Sequence, residues 1–148
     1  EEGCSGISIF NRSLQNAQKI KRNFEVLFPH CTIKVFPYHD KNMQEEINKA
    51  DLIINTTPLG SWYYPDKNPL PEYIKLPLKL FVYDLIYNPD RTPLLKKAKK
   101  NGNRVMNGKA MLVYQAAESF YLWTAIHPDQ EIINHVLDEI VKKLDIQF

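Results

Sequence analysis

Short apolar runs with strand character alternate with segments of helical periodicity along nearly the whole chain. The runs that we predict to be strands are residues 7–10, 32–36, 51–54, 80–84 and 104–106. Helices are predicted from Ser13 to Pro29, over 42–49, from Thr92 to Gly102, over 109–123 and from Pro128 to Leu144. This alternation indicates an α/β fold with a parallel sheet and helices on both of its faces.

Two helix starts and one loop carry clear local signals. Ser13 and Thr92 are suited to cap the helices that follow them, and Pro93 suits a first helical turn. Residues 61–79 are rich in proline and aromatic residues, and we expect a loop there in which one turn of helix is allowed.

Composition excludes several classes of protein. A net charge of +2 is too small for a nucleic-acid-binding stripe, and the lysines of residues 96–100 suit the exposed end of a helix better. No apolar run approaches the ~20 residues of a membrane span. The two cysteines form no CxxC pair, which is typical of a reduced, cytoplasmic protein. We see no secretory signal peptide.

Polar segments follow the predicted strands at residues 11–13, 55–60, 84–89 and 107–108. In parallel sheets, ligands bind outside the carboxyl ends of the strands. We therefore expect the site at these segments. Asp84 stands where a buried strand ends, and we expect it to orient its neighbours through hydrogen bonds.

The segment after the first strand, Asn11-Arg12-Ser13, lacks the acid that usually binds the ribose 2′-hydroxyl of NAD. Arg12 can bind a 2′-phosphate instead, while Asn11 and Ser13 can donate hydrogen bonds. This favours NADP over NAD. The alternative is that Arg12 is merely exposed and that Ser13 merely caps its helix.

The last turn-and-helix segment places Gly108 where a strand ends and a helix begins. Met111 and Gln115 are four residues apart and share one face of that helix. Met111 could pack on a nicotinamide ring and Gln115 could bind a substrate hydroxyl. Taken alone, these residues favour another assignment, in which Met111 fills the core and Gln115 is a satisfied buried amide.

Four stretches together resemble the cofactor-binding half of the shikimate dehydrogenase family: "NRS", "DLIINTTPLG", "VYDLIYNPDRTPLL" and "NGKAMLVYQAAESFYLW". The resemblance covers nearly all 148 residues. It implies an enzyme of aromatic amino-acid biosynthesis that reversibly reduces 3-dehydroshikimate to shikimate with NADPH. It also implies that residues 1–148 are the C-terminal NADP-binding domain, and that an N-terminal substrate domain is absent from this chain.

The resemblance assigns roles to individual residues. It places the adenosine 2′-phosphate at Asn11, Arg12 and Ser13. It lines the cofactor with Thr57, Pro58 and Leu59. It brings the nicotinamide near Leu85, Gly108, Met111 and Leu112. It assigns substrate contact to Tyr87 and Gln115. The catalytic Lys and Asp of the family match no residue of this chain, and no metal is implied.

The chain departs from the family pattern at a few positions. Asn16 replaces a second basic residue after the NR(T/S) motif, although Lys19 lies about one turn further on. Ser61 replaces a common Met. "GKAM" replaces the usual "GLGM" or "GYGM", which places Lys109 and Ala110 beside the nicotinamide site.

The family's first strand and its Gly-rich loop precede the position of Glu1. With the expected strand order 3-2-1-4-5-6, their absence leaves the groups 3-2 and 4-5-6 without a shared neighbour. We therefore expect a fragment that is inactive and unstable alone. The open alternatives are an NAD-using quinate/shikimate dehydrogenase and a non-catalytic nucleotide-binding module, and the sequence also allows a homodimer.

Overall fold

The computed structural model describes residues 3–144, with side chains described as far as residue 140. These residues belong to two compact units. The first unit comprises Glu1–Lys49 and Glu72–Lys75, and the second comprises Ala50–Pro71 and Leu76–Phe148.

The first unit is a β-α-β-α arrangement. It contains β1 (Gly6–Asn11), α1 (Leu14–Leu27), β2 (Thr32–Pro37) and α2 (Met43–Lys49). The strands are parallel over their whole length, with Gly6 opposite Thr32 and Asn11 opposite Pro37. The side chains that form its core are Ala17, Ile33, Met43, Ile47 and Ile74.

The second unit contains a three-stranded sheet and three helices. Its elements are β3 (Leu52–Asn55), β4 (Phe81–Asp84), α3 (Pro93–Lys100), β5 (Arg104–Met106), α4 (Lys109–Thr124) and α5 (Gln130–Leu144). The strand order is β3-β4-β5, and both pairs are parallel. Its core is formed by Leu76, Leu80, Val82, Leu94, Leu95, Ala98 and Val113.

The predicted strands and caps are confirmed. Each strand matches its prediction to within one residue at either end. The Ser13 hydroxyl accepts a hydrogen bond from the Asn16 N–H at 3.4 Å, and the Thr92 hydroxyl accepts one from the Leu95 N–H at 3.2 Å. Gly102, just beyond α3, has a φ of +90°, a conformation that glycine adopts at little cost.

The helical turn that the sequence allowed within residues 61–79 is absent; the described backbone there forms turns without a helix. Proline explains this result, because Pro65, Pro69, Pro71 and Pro77 lack the N–H donors that a helix needs. The segment is held instead by turn bonds, such as Gly60 N–H to Tyr64 O at 3.0 Å.

The strands form the two groups that were expected when the first strand of the family order is missing. β1 pairs with β2, and β3-β4-β5 form the second sheet. Within residues 3–144, β1 bonds only to β2, and β3 bonds only to β4. Apolar side chains on these open strands are partly exposed: Ile7, Leu52 and Ile54. Each unit, taken by itself, therefore has a sheet edge that could pair with a further strand.

None of the helices in the described part of the chain is both long and apolar enough to cross a lipid bilayer.

Glu46 gives the first unit a predicted sensitivity to acid. The Ser8 hydroxyl donates to Glu46 Oε2 at 2.5 Å, and Lys34 Nζ lies 3.0 Å from Oε1. The Ser8 hydrogen bond, followed by the Lys34 contact, lowers the pKa of Glu46. The stability that these contacts provide is therefore present above the ordinary Glu pKa and is lost as the pH falls through the lowered value.

We expect Glu46→Gln to flatten the loss of stability that acid causes, as measured by urea unfolding between neutral pH and about pH 3. The matched control is Glu45→Gln on the same helix, where the side chain is 63% exposed. A wild-type pH profile in the Glu46 variant would contradict the assignment.

Candidate functional site

The site in the second unit is built where its three parallel strands end. β3 ends at Asn55 and β4 at Asp84, which stand opposite each other in the sheet. The Leu85 N–H donates to Asn55 O at 3.1 Å, and the Gly108 N–H donates to Ile86 O at 3.0 Å. Main-chain hydrogen bonds thus join the segments that follow the strands into one surface.

Asp84 lies beneath that surface and is fully buried. Its Oδ1 accepts from Asn55 Nδ2 at 3.0 Å and from the Ile86 N–H at 3.1 Å, and its Oδ2 accepts from the Thr92 hydroxyl at 2.7 Å. Burial raises the pKa of Asp84, although these hydrogen bonds act in the opposite direction. The hydrogen bonds expected of Asp84 are present.

The turn after β3 is fixed by its own side chains. Asn55 Oδ1 accepts from the Thr57 N–H at 3.0 Å and from the Thr57 hydroxyl at 2.7 Å. The Leu59 N–H donates to the Thr57 hydroxyl oxygen at 3.3 Å, and Asn55 Nδ2 donates to Leu59 O at 3.3 Å. Pro58, in the middle of this turn, is exposed. The loop is therefore held by hydrogen bonds among its own residues.

Gly108 is required by a close approach of two backbones. A Cβ placed on Gly108 would lie 2.0 Å from Leu85 O and 2.5 Å from the Leu85 carbonyl carbon. Its φ of −78° is ordinary, so the constraint is contact and not backbone strain. The start of α4 therefore rests directly on the end of β4, and Leu85 and Gly108 are in contact.

Three of the residues predicted to face the nicotinamide or the substrate are accessible, whereas Gly108 is buried. Met111 is 40% exposed and Tyr87 is 43% exposed. Gln115 is also exposed, whereas Leu112 is half-buried. The assignment that the residues alone favoured, with Met111 in the core and Gln115 a buried amide, is wrong for this unit.

An ion pair between a buried lysine and a partly exposed aspartate, next to Gly108, was not predicted from the sequence. Lys109 Nζ lies 2.9 Å from Asp90 Oδ1, and the Lys109 side chain is only 5% exposed. Asn107 Nδ2 donates to the same carboxylate oxygen at 2.5 Å. The unusual "GKAM" stretch pointed to Lys109, but nothing in the sequence paired it with Asp90.

The predicted phosphate-binding turn lies in the first unit, between β1 and α1. Asn11 Oδ1 accepts from the Ser13 N–H at 2.8 Å, and the Ser13 hydroxyl oxygen accepts from the Asn16 N–H. These contacts leave the Asn11 Nδ2 group and the Ser13 hydroxyl hydrogen to donate to a ligand. Arg12, between them, is exposed.

Tyr38 adjoins this turn and was not predicted. Its N–H donates to Asn11 O at 3.0 Å, which continues the pairing of β1 with β2. Burial raises the pKa of Tyr38, and the positive charge of Arg12 acts against that rise. The carboxyl ends of β1 and β2 thus bring a guanidinium and a phenol into one neighbourhood.

Comparison with known proteins gives one consistent group of relatives. Residues 110–137 match the family model described as the shikimate 5′-dehydrogenase C-terminal domain. The shikimate dehydrogenase (NADP(+)) of Methanococcus vannielii is 38% identical over 145 residues, which cover 92% of this chain and 48% of that protein.

Solved structures agree with the sequence relatives and with the α/β class. The shikimate 5-dehydrogenase of Listeria monocytogenes, in complex with shikimate and NAD, superposes with a TM-score of 0.77 at 28% identity, over 90% of this chain and 47% of that chain. The enzyme of Thermus thermophilus, in complex with NADP(H) and shikimate, gives a TM-score of 0.69 at 28% identity, over 90% and 45%. The chain spans about half the length of the curated relatives it matches.

Proposed function

The chain belongs to the shikimate dehydrogenase family, whose C-terminal part it matches, and we propose that it is the NADP-binding domain of a shikimate dehydrogenase. The whole protein would reversibly reduce 3-dehydroshikimate to shikimate with NADPH, as a cytoplasmic enzyme of aromatic amino-acid biosynthesis. The observation that carries this proposal is the Asn11–Ser13 turn, which presents an exposed guanidinium and no carboxylate after β1.

The residues of this turn fit the adenosine 2′-phosphate of NADP. Arg12 would bind the phosphate through charge-assisted hydrogen bonds, which are stronger than neutral ones. The Asn11 amide and the Ser13 hydroxyl would add two neutral donors. Helix α1 begins at Leu14, and its N-terminus favours a negative charge next to this turn.

The second unit supplies residues that fit the nicotinamide end of the cofactor. The bare backbone of Gly108 and the apolar side chains of Leu85, Met111 and Leu112 would hold a flat ring, while Thr57, Pro58 and Leu59 would line the cofactor beside it. Bound NADPH would supply a hydride to the carbonyl carbon of 3-dehydroshikimate, and the carbonyl oxygen would take up a proton from a group outside this chain. Tyr87 and Gln115 would orient the substrate through its hydroxyls. No acid–base residue is assigned within this chain.

We further propose that residues 1–148 form the C-terminal domain of a longer protein whose N-terminal part binds the substrate and carries the catalytic Lys and Asp. Two observations support this proposal. The relatives are about twice as long as the chain. Each unit also has an open strand, β1 or β3, that a preceding strand could pair with. The proposal allows a homodimer of the whole protein, which analytical ultracentrifugation would test.

A second candidate is a shikimate or quinate dehydrogenase that uses NAD. It is favoured by the Listeria monocytogenes structure, which holds NAD together with shikimate. It is opposed by the absence of an acid at the end of β1, because NAD-specific folds usually bind the ribose 2′-hydroxyl with a carboxylate.

Replacement of Arg12 distinguishes the two candidates. We expect Arg12→Ala to raise the KM for NADP by about 10- to 100-fold, because a hydrogen bond to a charged group contributes about 1.5–3 kcal/mol. The KM for NAD should change by less than about twofold, since NAD has no 2′-phosphate. The measurement is steady-state reduction of each cofactor with shikimate, using the full-length natural protein that contains this chain.

The matched control is Arg22→Ala, an exposed arginine further along α1. It should leave both KM values unchanged. An equal loss with NAD and NADP in the Arg12 variant would contradict the 2′-phosphate assignment and would support the NAD-using alternative.

A further inference from the structure

We propose that Asp90, Asn107 and Lys109 form a positioning device, here called the Asp90 lock, that sets the substrate side of the site. The lock would hold residues 87–91, which begin with Tyr87 on the substrate side, against the start of α4. This inference rests on the proposed function, because it assigns a consequence for shikimate binding to residues that would not touch the substrate.

Several contacts join the three residues of the lock. Asp90 Oδ1 lies 2.9 Å from Lys109 Nζ and accepts from Asn107 Nδ2 at 2.5 Å. Asn107 Nδ2 also approaches Asp90 O at 3.4 Å, and Asn107 Oδ1 accepts from the Lys109 N–H at 3.2 Å. The three residues therefore tie one loop to the turn between β5 and α4 at several points.

The lock acts on the middle of a segment that is already fixed at both ends. At one end, the Gly108 N–H donates to Ile86 O. At the other end, Thr92 is bound to Asp84. Between these anchors, the Trp62 N–H donates to Asn88 O at 3.3 Å and ties residues 87–91 to another loop. Asp90 adds the side-chain anchor that fixes the path of the chain just after Tyr87.

Stability alone does not explain a lysine at this position. Lys109 is the first residue of α4, where the helix dipole disfavours a positive charge. Its side chain is also 95% removed from solvent, whereas Asp90 is 36% exposed, so the lysine has a desolvation cost that an ion pair often fails to exceed. Lys109 moreover stands where the family pattern usually has Leu or Tyr. A role in placing the loop accounts for a charged group in so unfavourable a position.

The test compares Lys109→Met, Asp90→Asn and the double variant, each in the full-length natural protein. We expect each single variant to raise the KM for shikimate by about tenfold, because small displacements of positioning groups carry large kinetic penalties. The KM for NADP should change by less than about twofold, since Arg12 binds the other end of the cofactor. Lys109→Arg, which keeps the positive charge, should have a KM for shikimate close to that of the wild type.

The double variant separates positioning from stability. Each single variant leaves one charge of the pair without its partner, whereas the double variant has neither charge. The midpoint of thermal unfolding of the double variant should therefore return toward the wild-type value. The KM for shikimate should stay raised, because the lock is still absent. A double variant that regains the wild-type KM together with its stability would overturn the proposal. So would single variants that change both KM values equally.

Hydrogen–deuterium exchange gives a readout that does not depend on activity. The Trp62 N–H, which donates to Asn88 O, and the Gly108 N–H, which donates to Ile86 O, should exchange faster in Lys109→Met than in the wild type, and unchanged exchange would overturn the lock. The control is Lys49→Met, which removes an exposed ion pair with Glu45 in the first unit and should alter neither readout.

These readouts keep the two proposals apart. A wild-type protein without shikimate-dependent NADP reduction would contradict the proposed function and leave the exchange experiment to decide on the lock. An active wild type whose lock variants keep their KM and their exchange rates would overturn the lock alone.

Discussion

Gly108→Ala is expected to destabilise the protein by about 3 kcal/mol or more and to abolish binding of NADP, because overpacking against backbone leaves no side chain to move aside. The added methyl would overlap Leu85 O at 2.0 Å and the Leu85 carbonyl carbon at 2.5 Å. Relief would require the start of α4 to separate from the end of β4. That separation would break the bond between the Gly108 N–H and Ile86 O. Urea unfolding and titration with NADP would measure the two effects.

Gly6→Ala is the matched control for this experiment. A methyl group on Gly6 would meet only Thr32 O, at the ordinary contact distance of 3.5 Å. This variant should unfold within about 0.5 kcal/mol of the wild type, as surface substitutions usually do. A Gly108→Ala protein with the stability and NADP affinity of the wild type would show that α4 does not rest on β4 as described.

Asp84→Ala is the second change with a large expected effect. The substitution deprives Asn55 Nδ2, the Thr92 hydroxyl and the Ile86 N–H of an acceptor in a fully buried place. Loss of a buried hydrogen-bonded acceptor together with the cavity that remains should lower the free energy of unfolding by about 3–5 kcal/mol. The second unit should be affected, because Asp84 links the ends of β3 and β4 to the start of α3.

Asp84→Asn is the matched variant, since its amide oxygen can accept from Asn55 and Ile86 while its NH₂ group donates to the Thr92 hydroxyl. It also tests the charge. Burial raises the pKa of Asp84, so its contribution to stability is greatest below the ordinary Asp pKa and is lost as the pH rises through the raised value. The stability of the wild type relative to Asp84→Asn should therefore fall over that window and then become constant.

Two results would contradict this account of Asp84. One is an Asp84→Ala protein with wild-type stability. The other is a difference between wild type and Asp84→Asn that stays constant from acid to neutral pH, which would mean that the carboxylate is ionised in the folded state as easily as in the unfolded state.

Local features of the fold were predictable because their causes lie within a few residues. The strands follow from short apolar runs, and the caps at Ser13 and Thr92 follow from a hydroxyl placed just before a helical pattern. The grouping of the strands into two sheets could not be predicted from local patterns. It was predicted from the strand order that the family resemblance implies. The helical turn allowed within residues 61–79 does not form, because several prolines in this segment lack the N–H donors of a helix.

The site was less predictable from the residues alone. Asn55 and Asp84 lie far apart in the sequence, and only the parallel register of β3 and β4 places them side by side. The same holds for Asp90 and Lys109, which meet because α4 starts against the end of β4. Met111 and Gln115 were assigned to the ligand by resemblance, whereas periodicity alone would have buried them.

Cofactor-dependent oxidation of shikimate tests the central proposal most directly. The full-length natural protein and the chain of residues 1–148 alone would each be assayed with shikimate and either NADP or NAD, following the absorbance of the reduced cofactor. We expect activity only in the full-length protein, with NADP preferred to NAD by about tenfold or more, as a single bound phosphate can provide. A folded full-length protein that reduces neither cofactor, or one that prefers NAD, would contradict it.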